Sequence, residues 1–171
     1  MVEKYLIDFD GVILDSQERF NKDMKDNINL YDWIDYLSSI EWNKFLRECE
    51  EIDDSMTVLA KLQKYNRLKA IITRIHDFEE GKEKLIYLRE RGIEVPVLYT
   101  LPEQRKSAVL IPKKDLVLVD DSKENCLDWE LNGGKSLLFN PKDSTNDKKI
   151  IKSLKQLLWH FNFICYNFII R

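Results

Sequence analysis

Short, continuous apolar runs alternate with longer stretches in which apolar residues recur every three or four positions. The runs are Tyr5-Leu6-Ile7, Leu68-Lys69-Ala70-Ile71-Ile72-Thr73, Val95-Pro96-Val97-Leu98-Tyr99, Leu116-Val117-Leu118-Val119 and Ser136-Leu137-Leu138-Phe139. Runs of this length, without regular polar alternation, predict strands buried on both faces. Pro96 shortens the third, because proline cannot donate to a sheet ladder. Between the runs, the pattern predicts a helix over 14–24, two short helices within 31–51, and a helix over 56–62 with Asp53-Asp54-Ser55 as its N-terminal cap. It further predicts helices over 77–91, closed by Gly92, over 125–131, closed by Asn132-Gly133-Gly134, and over 147–159. Pro102 opens a short helical turn that carries Lys106. Strands that alternate with helices imply right-handed crossovers and a parallel sheet covered by helices. The expectation is an α/β three-layer sandwich of about five parallel strands. The aromatic, helical stretch 15–55 reads as an insert over the site, not a separate domain.

A length of 171 residues suits one domain over 1–171 and can bury a substantial core. The 44% hydrophobic and 33% charged composition is that of a soluble protein. A net charge of −3, with acids and bases interspersed, gives no basic face for nucleic acid. Cys49, Cys126 and Cys165 are few and widely spaced, which fits a reducing, cytoplasmic setting better than a disulfide framework. The chain enters its first strand directly, which predicts no secretory leader. His76 and His160 have no cysteine partners at zinc spacing.

The chemistry concentrates at strand ends. Asp8 and Asp10 follow the first strand and Gly11 comes next, where the chain can turn sharply. Residues two apart on a strand point the same way, so both carboxylates can face one site at the sheet's carboxyl edge. Close carboxylates repel unless a cation or shared proton relieves them. The pair therefore suggests a magnesium site, or an acid beside a nucleophile. Thr73 ends the second strand, Lys106 lies before the fourth, and Asp120-Asp121 end the fourth. Each alone is weak: a lone lysine is usually solvated and an acidic pair often caps a helix. Together they form a phosphate site, with Lys106 and Thr73 offering charge and a hydroxyl to phosphoryl oxygens. The carboxylates of the first and fourth strands suit magnesium, which prefers oxygen ligands.

Asp8-Phe9-Asp10-Gly11-Val12, Ile71-Ile72-Thr73, Lys106 and Val117-Leu118-Val119-Asp120-Asp121-Ser122-Lys123-Glu124-Asn125 together resemble the four motifs of the haloacid dehalogenase (HAD) superfamily, mostly magnesium-dependent phosphohydrolases. The resemblance spans Asp8 to Asn125 and implies a Rossmann-like core with 15–55 as a small α-helical cap. It implies that Asp8 is the nucleophile and Asp10 the general acid/base, whose backbone carbonyl also faces the metal. Thr73 would bond a phosphoryl oxygen, and Lys106 would steady nucleophile and phosphate. Asp121 would be the main magnesium ligand of the last motif, with Asp120 assisting, so that Asp8, Asp10, Asp120 and Asp121 form the metal set. Asn125 stands where many members carry a second acid, which implies a role in supporting the ligands.

The substrate implied is a small phosphomonoester such as a nucleotide, and the compact cap resembles that of deoxynucleotidase-like members. Arg74, directly after Thr73, is a further candidate substrate contact beside Thr73 and Lys106, against the reading of a solvated arginine. Tyr31, Trp33, Tyr36, Trp42 and Phe45 are candidates to stack on a base, although aromatics at helical spacing more often pack a core. Ser16 and Ser122 have no base beside them, which argues against serine catalysis. The apolar tail 159–171 is too short and polar for a membrane span and suits burial in a monomer or pairing in a homodimer. Alternative readings are a non-catalytic phosphate-binding or regulatory protein on the same fold, a phosphatase of larger phosphorylated molecules, and a phosphomutase. A receiver domain is disfavoured because its acidic pair precedes its threonine and lysine.

Overall fold

The computed structural model of the protein describes residues 2–23 and 30–158. The strands are β1 (Lys4–Ile7), β2 (Leu68–Arg74), β3 (Val97–Thr100), β4 (Leu116–Asp120), β5 (Lys135–Phe139) and β6 (Ile150–Ile151). They form one parallel sheet in the order β3-β2-β1-β4-β5-β6. The chain winds outward from β1 in one direction to β3, then crosses back to β4 and continues the other way. The topological switch therefore lies between β1 and β4, where open α/β sheets form a crevice at their carboxyl edge.

Alternation along β1 explains the three layers. Tyr5 and Ile7 join a buried cluster with Ile71, Val117, Leu59 and Leu88, whereas Leu6 faces a second cluster with Ala70, Ile72, Leu118 and Trp129. β4 is buried at all five positions, as its unbroken apolar run requires. The architecture is the expected Rossmann-like α/β sandwich.

Helices α1 (Ser16–Asp23), α2 (Leu30–Ser39), α3 (Trp42–Glu48) and α4 (Ser55–Lys64) lie between β1 and β2. The first three fall within the 15–55 stretch read as an insert. Leu37, Trp42, Phe45 and Leu46 bury into the same cluster as Tyr5 and Ile7, so insert and sheet share a core. Helix α5 (Phe78–Glu90) begins with Asp77 accepting a hydrogen bond from the Glu80 N–H at 2.7 Å. The short α6 (Lys106–Val109) starts four residues beyond Pro102, and α7 (Lys123–Leu131) is capped by Ser122 accepting from the Asn125 N–H.

Two local expectations fail. The helix predicted over 147–159 gives way at its start to β6 and is helical over 156–158: Leu138 donates to the Lys149 carbonyl at 2.8 Å and Asn140 to the Ile151 carbonyl at 2.9 Å. The β-branched pair Ile150-Ile151 covers the open edge of β5, adding a sixth strand. Asp53 and Asp54 do not cap α4. Both adopt left-handed backbone (φ 50° and 54°), and both turn their carboxylates to Lys155. Glu51 takes the capping place, accepting from the Met56 N–H at 2.8 Å. The 159–171 tail, with Cys165 and His160, lies outside the described residues. Cys49 and Cys126 are free and buried, and among the described residues no helix is long and apolar enough to cross a membrane.

Candidate active site

A cavity of about 290 Å³ opens at the carboxyl edge of the sheet, over the switch between β1 and β4. Asp8, Asp10, Gly11, Lys106, Asp121 and Asn125 line it together with Ser16, Gln17, Phe20, Trp33, His76 and exposed Arg74. Asp8 directly follows β1, and its N–H donates to the Val119 carbonyl at 2.9 Å, which fixes it against β4. One carboxylate oxygen accepts from the Phe9 N–H at 2.7 Å, and the other meets the Lys106 ammonium at 2.7 Å. Lys106 reaches Asp120 as well, at 2.6 Å, so one buried lysine bridges the ends of β1 and β4. Asp120, fully buried at the end of β4, also accepts from the Ser122 N–H at 2.9 Å and from the Asn125 amide at 3.0 and 3.2 Å. Asn125 thus orients a carboxylate.

Asp8, Asp120 and exposed Asp121 each offer an oxygen, all within 4.8 Å of one another. Burial pushes the Asp8 carboxyl up to about 8; Asp120 and Asp10 add to this, against the pull of Lys106. Burial, with Asp120, lifts Asp121 to about 6. Hard oxygen donors that are crowded and reluctant to ionise alone fit a divalent cation such as magnesium. Gly11, with φ at +72°, has a second reason to be glycine: a Cβ there would overlap the Asp121 carboxylate. Gly11→Ala is expected to displace Asp121 and weaken cation binding about tenfold or more. Titration calorimetry with magnesium checks this, and unchanged affinity would contradict it.

Asp10 differs from Asp8. Burial alone would raise its pKa, but Lys84 at 2.6 Å overcomes that, aided by Ser16 at 2.9 Å and Thr73 at 3.2 Å, and the carboxyl is held below the usual range. Its side chain still faces the cavity. Two carboxylates two residues apart therefore titrate in opposite directions: in the metal-free protein Asp8 keeps its proton and Asp10 is ionised.

The structure brings Asp8, Asp10, Lys106, Asp120 and Asp121 together at the carboxyl edge of the sheet. Thr73 is adjacent but fully buried and not part of the cavity lining; its hydroxyl faces Asp10 and the Arg74 carbonyl. Arg74 stands exposed at the cavity rim. Of the insert aromatics, Trp42 and Phe45 are buried in the core, Tyr36 donates to Asp23, and Trp33 lines the cavity. The side chain of Tyr31 lies outside the described residues.

Sequence reasoning missed Lys84, Glu80 and Phe20. Lys84 and Glu80 are buried on α5 and pair at 2.6 Å. Their signal was available: Glu80, Lys84 and Leu88 recur every four residues on one face, so two charges occupy positions in register with a core leucine.

No protein-family model matches the chain, and no curated protein matches it in sequence. Solved structures do match. A HAD-superfamily hydrolase from Ehrlichia chaffeensis superimposes with a TM-score of 0.59 at 13% identity, over 97% of this chain and 98% of its own. A HAD hydrolase of family IA, variant 3, from Entamoeba histolytica does so with a TM-score of 0.58 at 12% identity, over 91% and 95%. Over nearly its whole length, this chain has the fold of HAD-superfamily hydrolases.

Proposed function

We propose that the protein is a magnesium-dependent phosphomonoester hydrolase that works through an aspartyl-phosphate on Asp8. The observation that carries this reading is that Asp8 and Asp10 line one cavity and each is held by its own buried lysine. Asp8, Asp120 and Asp121 would hold the cation, with the Asp10 backbone carbonyl beside them; when bound, it supplies positive charge that lets an anionic carboxylate approach an anionic phosphate. That charge is needed. Among the described residues, the five carboxylates Asp8, Asp10, Glu80, Asp120 and Asp121 find two lysines between them, Lys84 and Lys106.

The proposed steps are these. An Asp8 oxygen forms a bond to phosphorus as the bond to the leaving oxygen breaks. Asp10, ionised beside Lys84, takes up the proton that Asp8 gives up on becoming the attacking carboxylate, passes it to that oxygen and then, as carboxylate again, takes a proton from the water that attacks the phosphoenzyme. Lys106 keeps Asp8 aimed and balances charge on the phosphoryl group. Arg74 at the rim is a cation suited to a second anionic or polar group of the substrate, and Trp33 with Phe20, whose rings meet edge to face at 5.5 Å, gives an apolar wall. A small phosphorylated metabolite fits a cavity of this size, and nucleotides belong in the first panel. Hydrolysis of an aryl phosphate and of that panel, with and without magnesium, tests the reading; folded protein inactive on all of them would refute it.

The carboxyl shifts carry a prediction about pH. Asp8 near 8 and Asp121 near 6 keep protons that the unfolded chain releases near 4. The metal-free protein therefore loses stability from these groups as pH rises from about 4 to about 8. Cation binding must displace those protons, so it strengthens over the same window. The gain in Tm on adding magnesium is expected to be larger at about pH 8 than at about pH 5 in differential scanning fluorimetry. An equal or larger gain at the lower pH would contradict the assignment.

A further inference from the structure

We propose that Lys84 is a positioning residue for Asp10, a second lysine that holds the proton-transferring carboxylate while Lys106 serves Asp8. This rests on the phosphohydrolase reading above. The Lys84 side chain is fully buried, although it belongs to an otherwise charge-rich helix. Its ammonium has four acceptors: Asp10 at 2.6 Å, Glu80 at 2.6 Å, the Arg74 carbonyl at 2.9 Å and Thr73 Oγ1 at 3.1 Å. All three of its N–H groups are thus engaged within the protein. The Phe9 ring lies 5.3 Å from the ammonium and closes another side.

Asp10 is consequently anchored from three elements. Ser16 of α1 holds one oxygen, while Thr73 of β2 and Lys84 of α5 hold the other. Glu80 explains why the lysine stays there. It is buried one turn before Lys84, and its second oxygen accepts from the His76 N–H at 2.6 Å and meets His76 Nδ1 at 3.0 Å. A flexible ammonium near a phosphate site is drawn to the phosphoryl group; Glu80 holds this one on Asp10. Stability alone does not account for the arrangement. A lysine on a helix ordinarily extends its head to water, and an apolar side chain fills a buried position at least as well as a buried ion triad. The arrangement fixes one carboxylate within a narrow range of orientation, which proton transfer requires.

The test separates positioning from structural support through the leaving group. 4-Nitrophenolate departs without a proton, whereas an alkoxide needs one. Wild type, Lys84→Met and the charge-balanced double variant Lys84→Met/Glu80→Gln are compared in magnesium on 4-nitrophenyl phosphate and on an alkyl phosphate that wild type hydrolyses. The expected result is a drop of about 100-fold or more in kcat for the alkyl phosphate. The 4-nitrophenolate burst rate should change less than about tenfold, with KM nearly constant for both. Equal losses on the two substrates, or no loss, would overturn the role. If the single variant does not fold, the double variant decides; if neither folds, Lys84 is a structural strut and the role is overturned. Wild type inactive on both substrates would instead refute the hydrolase reading itself, before any variant is compared.

Discussion

Asp8→Asn is expected to lower phosphomonoester turnover by at least about 10⁴-fold, since an amide oxygen cannot attack phosphorus to form the acyl phosphate. The fold should survive. Asp8 is crowded by Asp120 and Asp10 and has its carboxyl raised to about 8, so a neutral near-isostere relieves repulsion while Lys106 keeps Asp120 as its partner. Tm should move by no more than roughly 4 °C, equivalent to about 1 kcal/mol in a chain of this size. Steady-state kinetics and a melting curve on the same sample check both halves. Full activity in the variant would remove Asp8 as nucleophile. A collapsed Tm with residual activity would mean that the carboxylate is a strut for the β1–β4 junction.

Lys106→Met should damage both stability and activity. Lys106 is 3% exposed and lies between two carboxylates, at 2.7 Å from Asp8 and 2.6 Å from Asp120. Removing one partner of a buried ion network leaves the others uncompensated, at a cost of about 3–5 kcal/mol. At this chain length the loss corresponds to a Tm lowered by roughly 10 °C. Magnesium should restore part of it, because the carboxylates left without the lysine are those assigned to the cation. Turnover should fall by about 10³-fold even with saturating metal, since Asp8 is no longer aimed. An unchanged Tm in metal-free buffer would contradict the bridging role.

The residues that were legible in the sequence are those whose neighbours announce them. Asp8, Asp10, Asp120 and Asp121 stand at the ends of unbroken apolar runs, so a strand and its carboxyl end are fixed by the same few residues. Lys106 needed the order of the other motifs, because its four-residue helix has no periodicity of its own. Lys84 was hidden among Glu79, Glu80, Lys82 and Glu83, where a charged helix face looks solvated; only the three-dimensional packing of α5 turns it inward. The resemblance implies a Thr73 hydroxyl on the phosphate; in the structure that hydroxyl faces Asp10. Ile150-Ile151 were assigned to a helix because nothing local reveals that the β5 edge stands open beside them. Asp53 and Asp54 carry the residue type of a helix cap but a backbone that turns it away. Local pattern therefore located the strand ends and their acids. It was blind to partners brought in from the helix faces and the sheet edge.

The central claim is that phosphate passes through a covalent bond to Asp8. Wild-type protein turning over a phosphomonoester in magnesium can be quenched in acid, reduced with borohydride and mapped by peptide mass spectrometry. An acyl phosphate is reduced at its carboxyl carbon, so the account predicts that Asp8, and no other residue, is converted to homoserine in a substrate-dependent way. Substrate-dependent conversion at Asp10, Asp120 or Asp121 in its place would contradict it.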